Sequence, residues 1–327
     1  MTKVEAPGRL HFGLMSLPIP GRENWPEGLP VRLFGGAGLM IQSPGVEVVV
    51  APAKVWETFG PSADRALHFG RRFIETLPCS ERQAFSIEVR RTPPEHCGLG
   101  SGTSLALSVA KAIAVELGHR DLPAVELAVR VGRGERSAVG IHGFEHGGFL
   151  VEAGKLPDDR IAPLIGRYEF PSEWRIVLLR PEAAPEWHGD KERRAFINIA
   201  SNNATESMCR ILLTGVIPAL LSKNLCQFGE ALYEFNLLAG IGFAVEQGGA
   251  WANTQSAQIV GLLRADGVHA VGQSSWGPTV FAIVDSEGEA QAVKKKMTCR
   301  SALPDGSISI TAGSNKGFVT NDTFGIY

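Results

Sequence analysis

The chain has 327 residues, 44% of them hydrophobic and 20% charged, which is typical of a globular protein with one large or two medium domains. Its formal charge of -2 gives no reason to expect a nucleic-acid or membrane partner. The five scattered cysteines form no Cys-x-x-Cys pair, which argues against a zinc site or a disulfide framework. Without a signal-peptide layout or a long apolar run, we expect a cytoplasmic protein with small-molecule partners, and a homodimer is left open.

The first third of the chain is predicted to consist mainly of strands. Apolar runs at 8–17 and 36–43 are bounded by glycine, and the run at 46–51 is rich in valine. The proline- and glycine-rich stretch between the first two runs indicates a loop. A helix is predicted at 63–77, and the alternating pattern at 85–92 predicts a half-buried strand.

Two helices are predicted next in the chain. Apolar residues recur at helical spacing over 105–117, and Gly118 is placed to end that helix. A second helix is predicted over 121–133, with Asp121 as its N-cap.

The remaining elements mix strands and helices without regular alternation. Strands are predicted at 149–154, 174–181 and 307–313, and helical stretches at 193–213, 216–224, 226–247 and 289–297. This order indicates an α+β fold. We predict two domains, one formed by residues 1–168 and the other by residues 169–327.

A glycine-rich segment precedes the helix predicted over 105–117, and we name its residues 97–104 the glycine loop. A helix N terminus exposes unpaired N–H groups and the positive end of the helix dipole, so it attracts anions. No lysine follows the glycines, which excludes a Walker A motif. The predicted phosphate-binding residues are Gly98, Leu99, Gly100, Ser101, Gly102, Thr103 and Ser104. The alternative is a glycine turn that only caps a core helix.

Three segments together carry a family resemblance. The glycine loop, the N-terminal "APGRLHFGL" and the glycine-rich "AVGQSSWGPTVFAIV" resemble the motifs of the GHMP kinase superfamily. Within it, "GLGSGTSLAL" and "GRGERSAVGIHGFEHGGFLVEAG" are similar to the family of β-ribofuranosylaminobenzene 5'-phosphate (β-RFAP) synthases. The resemblance implies an N-terminal half like domain 2 of ribosomal protein S5, a ferredoxin-like C-terminal half, and a site in the cleft between them.

The resemblance also implies a reaction. That family is a group of decarboxylating glycosyltransferases that join 4-aminobenzoate to phosphoribosyl pyrophosphate. The reaction releases CO2 and pyrophosphate as an early step toward methanopterin-type carriers, and Mg2+ is expected as cofactor with unknown ligands.

Two alternatives to this synthase activity remain. In many GHMP kinases an aspartate base precedes a Gly-Gly pair, and a gapless count places that position on Gly140. The glutamate that binds Mg2+ in some of them falls on Val129. Both carboxylates are missing, which weakens an ATP-dependent small-molecule kinase. The other alternative is a non-catalytic phosphate- or nucleotide-binding module.

Four residues are the candidates for the reaction itself, and the guanidinium groups of the three arginines among them are suited to hold phosphate or carboxylate oxygens. They are Arg9, His11, Arg133 and Arg136. Each of them also has a purely structural interpretation. Arg9 could be an ordinary charged residue at the edge of a strand, and His11 could be a histidine buried in the core. Arg133 and Arg136 could form ion pairs at the surface.

The predicted substrate-binding residues come from two further segments. They are His142, Glu145, Ser274, Ser275, Trp276 and Gly277. Trp276 is suited either to stack on an aromatic substrate or to pack under its turn. Asp190 and Glu192 are possible Mg2+ ligands through water, although such charge clusters are more often solvated helix starts.

Overall fold

The first sheet contains seven strands. In the computed structural model, which describes residues 1–15, 32–181 and 204–322, strands β1 (Thr2–Met15) and β2 (Gly35–Ala53) form its centre. Beyond β2 lie β4 (Ala84–Arg91) and β3 (Glu57–Phe59), and β5 (Phe149–Glu152) and β6 (Leu164–Tyr168) extend its other half. The C-terminal strand β11 (Val319–Asp322) pairs with β1. The valine-rich and alternating runs of the sequence therefore form the strands that they predict.

Helices cover one face of this sheet. They are α1 (Ala63–Glu75), α2 (Ser101–Glu116), α3 (Ala124–Arg130) and α4 (Val139–His146), with a short 3-10 turn at Cys79–Glu81. Helix α2 is apolar on nearly all sides and is buried over most of its length, as expected for a helix enclosed in a core. Its side chains pack with Phe73, Phe85 and Ile87 in the main N-terminal core.

The second sheet is ferredoxin-like. Its strands are β7 (Arg175–Leu179), β8 (Ala270–Gln273), β9 (Val280–Val284) and β10 (Ile308–Thr311). They lie in the order β10-β7-β9-β8, and all pairs are antiparallel. This is the order of a β-α-β-β-α-β unit, so the predicted C-terminal fold is confirmed.

The C-terminal part of the described chain also contains helices. They are α5 (Thr205–Ile211), α6 (Ile217–Leu221), α7 (Leu225–Ile241), α8 (Ala244–Gln247), α9 (Thr254–Ala265) and α10 (Glu287–Arg300), and a π-helical turn at Leu212–Val216 joins α5 to α6. Helices α7, α9 and α10 pack against the second sheet, whereas α5 and α6 pack on α7. Asn224, Asn253 and Ser286 cap α7, α9 and α10, each through a side-chain oxygen that accepts a backbone N–H.

Some sequence predictions need correction. The helix after α2 begins at Ala124, so Asp121 is not its N-cap; the Ala124 N–H instead donates to the Glu145 carboxylate at 2.7 Å. The long helix predicted at 226–247 is two helices, α7 and α8, which are interrupted at residues 242–243. Most of the stretch predicted at 193–213 lies outside the described residues.

The two sheets do not correspond to two continuous halves of the chain. Strand β6 of the first sheet ends at Tyr168 and β7 of the second sheet begins at Arg175, and the expected boundary at 168/169 lies in the segment between these two strands. The chain later returns to the first sheet as β11. The C-terminal region therefore contributes to both sheets.

Candidate active site

The three motifs of the sequence meet at one place. The Arg9 N–H donates to the Leu99 carbonyl at 3.2 Å, which joins β1 to the glycine loop. The segment 273–279, which we name the Ser-Ser-Trp turn, joins both: the Ser275 N–H donates to the His11 carbonyl at 2.8 Å. Gly98 has a positive φ of 81°, and a Cβ atom there would lie 2.3 Å from the Ser274 carbonyl oxygen. Only glycine permits this contact.

Guanidinium groups surround the start of α2. A Cβ atom on Gly102 would lie 2.6 Å from Nη2 of Arg65 and 3.4 Å from Nη2 of Arg133. Arg133 also donates to the Thr103 hydroxyl at 3.1 Å. Arg65 on α1 is held by Glu95 at 2.9 Å. Positive side chains and the helix N terminus therefore face the same space, as an anion site requires.

Arg9 lies deeper in the same site. Its guanidinium passes between Gly100 and Gly140, where Cβ atoms would come within 3.0 Å of Nε and 3.3 Å of Nη1. Nε is buried and makes no hydrogen bond within the described chain. The pKa of Arg9 is lowered to about 10, chiefly because the group is buried; the charge of Glu152 opposes this effect and that of Arg133 adds to it. Arg9 still carries a positive charge at neutral pH.

Behind Arg9 lies a buried polar cluster. Glu152, at the end of β5, is fully buried, and burial raises the pKa of its carboxyl to about 7. Its carboxylate accepts hydrogen bonds from the Ala138 N–H and the Ser137 side chain at the start of α4. Nε2 of His11 lies 3.0 Å from the Ser137 hydroxyl. Burial, with Arg9 nearby, holds the pKa of His11 well below its usual value, so the imidazole is neutral at pH 7.

An aromatic cavity adjoins this cluster. His11 and Ser275 line it, together with Phe12, Asn236, Phe243, Gln247, Trp251, Gln273 and Trp276. The Trp276 and Phe243 ring centroids are 4.2 Å apart with a 60° tilt between the planes. Trp276 thus packs on its neighbour and also forms part of the cavity wall.

Two predicted substrate contacts, His142 and Glu145, make hydrogen bonds within the protein, and their roles toward a substrate stay predictions. Nε2 of His142 lies 2.8 Å from the Ala162 carbonyl, and the ring is buried. The Glu145 carboxylate caps α3 through Ala124. Both side chains are occupied by structural contacts away from the glycine loop.

The remaining candidates differ in how they meet the site. The Ser274 hydroxyl accepts from the His11 N–H at 3.0 Å and donates to the Gly98 carbonyl at 2.8 Å, so it joins segments of the protein to one another. Gly277 has a positive φ and continues this turn. Arg136 is half-buried in the loop between α3 and α4. The roles of Arg9, His11, Arg133 and Arg136 in the reaction stay predictions.

Sequence reasoning missed two residues of this site, Arg65 and Glu152. Arg65 sits in an ordinary amphipathic helix, and Glu152 is one acidic residue at the end of an apolar run. Neither position has a local pattern that distinguishes it. The odd feature of Glu152 is an isolated carboxylate within a strand that is buried throughout.

The described residues offer no ready metal cage. Within residues 1–15, 32–181 and 204–322, no three histidine, cysteine, aspartate or glutamate side chains group closely enough to hold a metal ion. Asp190 and Glu192 lie outside the described residues. The helices of the described chain are all too short or too polar to cross a membrane.

Comparison with known sequences identifies the family. The GHMP kinases N terminal domain matches residues 65–148, and the GHMP kinases C terminal domain matches residues 216–302. The chain is 31% identical to the β-ribofuranosylphenol 5'-phosphate synthase of Methanothermobacter thermautotrophicus, over 96% of this chain and 97% of the relative. The chain belongs to the β-ribofuranosylphenol 5'-phosphate synthase family of the GHMP kinase superfamily. The synthase of the same name from Archaeoglobus fulgidus is 30% identical over 88% of each chain.

Solved structures share the fold of this synthase family member. Homoserine kinase from Cytophaga hutchinsonii aligns with a TM-score of 0.68 at 17% identity, over 98% of this chain and 97% of the kinase. Mevalonate diphosphate decarboxylase from Enterococcus faecalis aligns with a TM-score of 0.66 at 17% identity, over 98% and 99%. The GHMP-type α+β fold and the synthase family that the sequence predicted are both confirmed, and the protein is an enzyme.

Proposed function

We propose that the protein joins 4-aminobenzoate to the anomeric carbon of phosphoribosyl pyrophosphate with loss of CO2 and pyrophosphate. The observation that carries the proposal is the convergence of Arg9, Arg65 and Arg133 on the N terminus of α2. A substrate with a pyrophosphate on one carbon and a phosphate on another needs several cations, and a guanidinium group can bind two phosphate oxygens at once. Membership of the synthase family supports the same reaction.

The chemistry requires charge stabilisation more than a strong base. The bond from the anomeric carbon to pyrophosphate breaks with its electron pair on the leaving oxygen, and the guanidinium groups neutralise that charge. The ring carbon that bears the carboxylate supplies the electron pair for the new carbon–carbon bond. The carbon–carboxylate pair then returns to the ring and CO2 leaves, so no proton is gained or lost overall.

The aromatic cavity beside His11 suits the benzoate. Aromatic walls from Phe243 and Trp276 match a flat ring, and Gln247 adds a polar atom. The cavity volume is about 40 Å³, close to the roughly 30 Å³ that one water occupies in the liquid. The cavity is therefore too small for a benzoate in the free protein, and we propose that the ring is held between Phe243 and Trp276 once these walls move apart.

The substituent opposite the carboxylate is the second point of the proposal. It must push electrons into the ring, and an amino or a hydroxyl group does so. The sequence resemblance points to an aminobenzene product, whereas the relatives are named for a phenol. We take 4-aminobenzoate as the acceptor, and 4-hydroxybenzoate is the direct competitor.

The kinase alternative lacks its base. Gly140 faces Arg9 and Thr103, which is where a side chain at this position would meet the bound phosphate. The group presented there is the Arg9 guanidinium, which cannot remove a proton from an alcohol. This favours displacement of pyrophosphate over phosphoryl transfer.

Mg2+ stays a prediction. This ion keeps several water ligands and commonly binds through one or two carboxylates and the phosphates of a substrate. A site with guanidinium groups and few carboxylates fits an ion that arrives on the pyrophosphate better than one held by a protein cage. The cytoplasmic location and the homodimer also stay predictions.

One assay separates the candidate functions. The protein is incubated with Mg2+, phosphoribosyl pyrophosphate and carboxyl-labelled 4-aminobenzoate, 4-hydroxybenzoate or unsubstituted benzoate, and labelled CO2 is counted. We expect release that needs both substrates, is fastest with 4-aminobenzoate and is absent with benzoate. No CO2, with ADP formed from ATP and an alcohol, would establish a kinase, and inactivity in both assays would favour the binding module.

A further inference from the structure

Glu152 is connected to both functional residues of β1. Ser137 lies between Glu152 and His11, with 3.0 Å separating its hydroxyl oxygen from His11 Nε2. Arg9 interacts electrostatically with the same carboxylate. Oε1 of Glu152 and Nε of Arg9 are both buried, and neither makes a hydrogen bond within the described chain. A buried acidic group with an unused oxygen is costly, so its presence requires an explanation.

The hydrogen bonds of this cluster have a fixed direction. Ser137 owns a single hydroxyl hydrogen, and an ionised Glu152 has none, so Ser137 donates to Glu152. The Val139 N–H donates to the Ser137 oxygen at 3.2 Å. His11 Nε2 must therefore also donate to that oxygen. Its hydrogen then resides on Nε2, and Nδ1 carries a lone pair.

We propose that Glu152 is a positioning residue for the reaction, which fixes the tautomer of His11 through Ser137 and holds the charge of Arg9 at the glycine loop. This inference rests on the proposed function for its kinetic consequences, but its structural part does not. His11 is one of the residues that line the aromatic cavity, and in this tautomer Nδ1 is the hydrogen-bond acceptor of its ring. Arg9 lies against Gly100, and the fully buried carboxylate of Glu152 acts on it through its charge.

The charge state of Glu152 controls this arrangement. Arg9 faces it from β1, with Arg133 behind Arg9, and α4 presents its N-terminal N–H groups. Its partners across the sheet, Gly36 on β2 and Leu164 on β6, carry no charge. A protonated Glu152 has its own hydrogen to donate. Ser137 is then no longer required to donate its hydroxyl hydrogen to Glu152, and the tautomer of His11 is no longer fixed. With a pKa of about 7, this change falls in the neutral range.

The structural arm of the test is 15N NMR of the imidazole groups in the whole free protein, with the His11 signals assigned by comparison with His11→Gln. We expect the Nε2–H tautomer of a neutral ring at pH 8. Glu152→Gln and Ser137→Ala should each give a mixture of tautomers. An Nδ1–H ring in the unmodified protein, or no change in either variant, would overturn the proposal. This arm needs no activity, so it is independent of the proposed reaction.

The kinetic arm uses CO2 release. We expect Glu152→Gln to lower kcat by about tenfold to hundredfold, as is usual when the hydrogen-bond partner of a functional group is removed, with a smaller change in KM for 4-aminobenzoate. The rise of kcat with pH near 7 should disappear in this variant and persist in Ser137→Ala. Substrate phosphates titrate nearby, but they do so equally in all proteins. If Glu152→Gln kept both the kcat and the pH profile of the unmodified protein, the proposed role of Glu152 would be refuted. If Glu152→Gln does not fold, Ser137→Ala still tests the role.

Discussion

Ser274 donates its hydroxyl hydrogen to the Gly98 carbonyl at 2.8 Å and ties the Ser-Ser-Trp turn to the glycine loop. The same hydroxyl accepts the His11 N–H at 3.0 Å, so one buried side chain joins three segments that are far apart in sequence. Thr279 repeats the connection through the Cys97 carbonyl at 2.6 Å. The C-terminal region thus fixes the shape of the loop that we propose for phosphate.

Ser274→Ala should weaken both the fold and the site. It leaves the His11 N–H and the Gly98 carbonyl without this partner, and an unsatisfied buried group costs about 1–3 kcal/mol. We expect urea unfolding to show a loss of that size and CO2 release to fall. The control is Ser275→Ala, because Ser275 joins the cluster through its backbone N–H. Equal stability of the two variants would contradict this account.

Arg65 and Arg133 should bind the pyrophosphate end of the donor. Removal of a hydrogen bond to a charged group costs about 1.5–3 kcal/mol, so Arg65→Ala and Arg133→Ala should each weaken pyrophosphate binding by roughly tenfold to hundredfold. Calorimetry at two salt concentrations measures this, with a smaller salt dependence in each variant. Arg71→Ala on the exposed face of α1 is the matched control. An effect as large in Arg71→Ala would show that only net charge matters.

Local patterns predicted the parts of the site that have local causes. The glycine loop was recognisable because a tight turn before an apolar helix requires glycine and small hydroxyl residues at neighbouring positions. Strand β4 followed from its alternating side chains, and the region of β2 followed from one run bounded by glycine and one rich in valine. By contrast, Asp121 was a plausible cap by residue type, but the carboxylate that caps α3 comes from Glu145, a residue on α4.

The missed residues depend on tertiary contacts. Arg65 reaches Gly102 only because α1 packs beside α2. The sequence between the two helices does not indicate that they lie so close together. Glu152 becomes functional through Ser137 and Arg9, which lie on different elements. The hydrogen bond between the His142 ring and the Ala162 carbonyl is likewise a tertiary contact that the local sequence does not indicate.

Gly140→Asp should impair the synthase without creating a kinase. A Cβ atom at this position lies 3.3 Å from Nη1 of Arg9, so the new carboxylate would pair with that guanidinium and remove its charge from the site. We expect pyrophosphate affinity and CO2 release to fall by about tenfold or more, with no ADP formed from ATP. Gly140→Ala separates the steric effect from the charge. ADP formation by Gly140→Asp would show that the kinase reading was correct after all.

Glu152→Gln should change how stability depends on pH. Burial raises the pKa of Glu152 from 4.5 to about 7, so the folded protein holds this proton more tightly than the unfolded chain does. The resulting stabilisation is complete below about pH 4.5 and is lost as pH rises through about 7. The free energy of unfolding of the unmodified protein, minus that of Glu152→Gln, should therefore fall with rising pH.

The slope over that window should reach at most about 1.4 kcal/mol per pH unit. Urea unfolding of both proteins at half-unit steps from pH 4.5 to 8 measures the difference. His11 has the opposite sign, because burial lowers its pKa, but both proteins contain it and most of its contribution cancels. A difference that is independent of pH would mean that Glu152 is ionised throughout.

Trp276→Leu should affect the aromatic acceptor and spare the donor. Trp276 packs on Phe243 at the cavity wall, whereas the guanidinium groups lie at the glycine loop. Loss of an aromatic contact costs about 0.5–1.5 kcal/mol beyond area, so KM for 4-aminobenzoate should rise roughly twofold to tenfold. KM for phosphoribosyl pyrophosphate should stay constant, and Trp56→Leu in the N-terminal core controls for general destabilisation. If both KM values rose together, the cavity would not be a separate acceptor site, and the ring would have to bind beside the pyrophosphate.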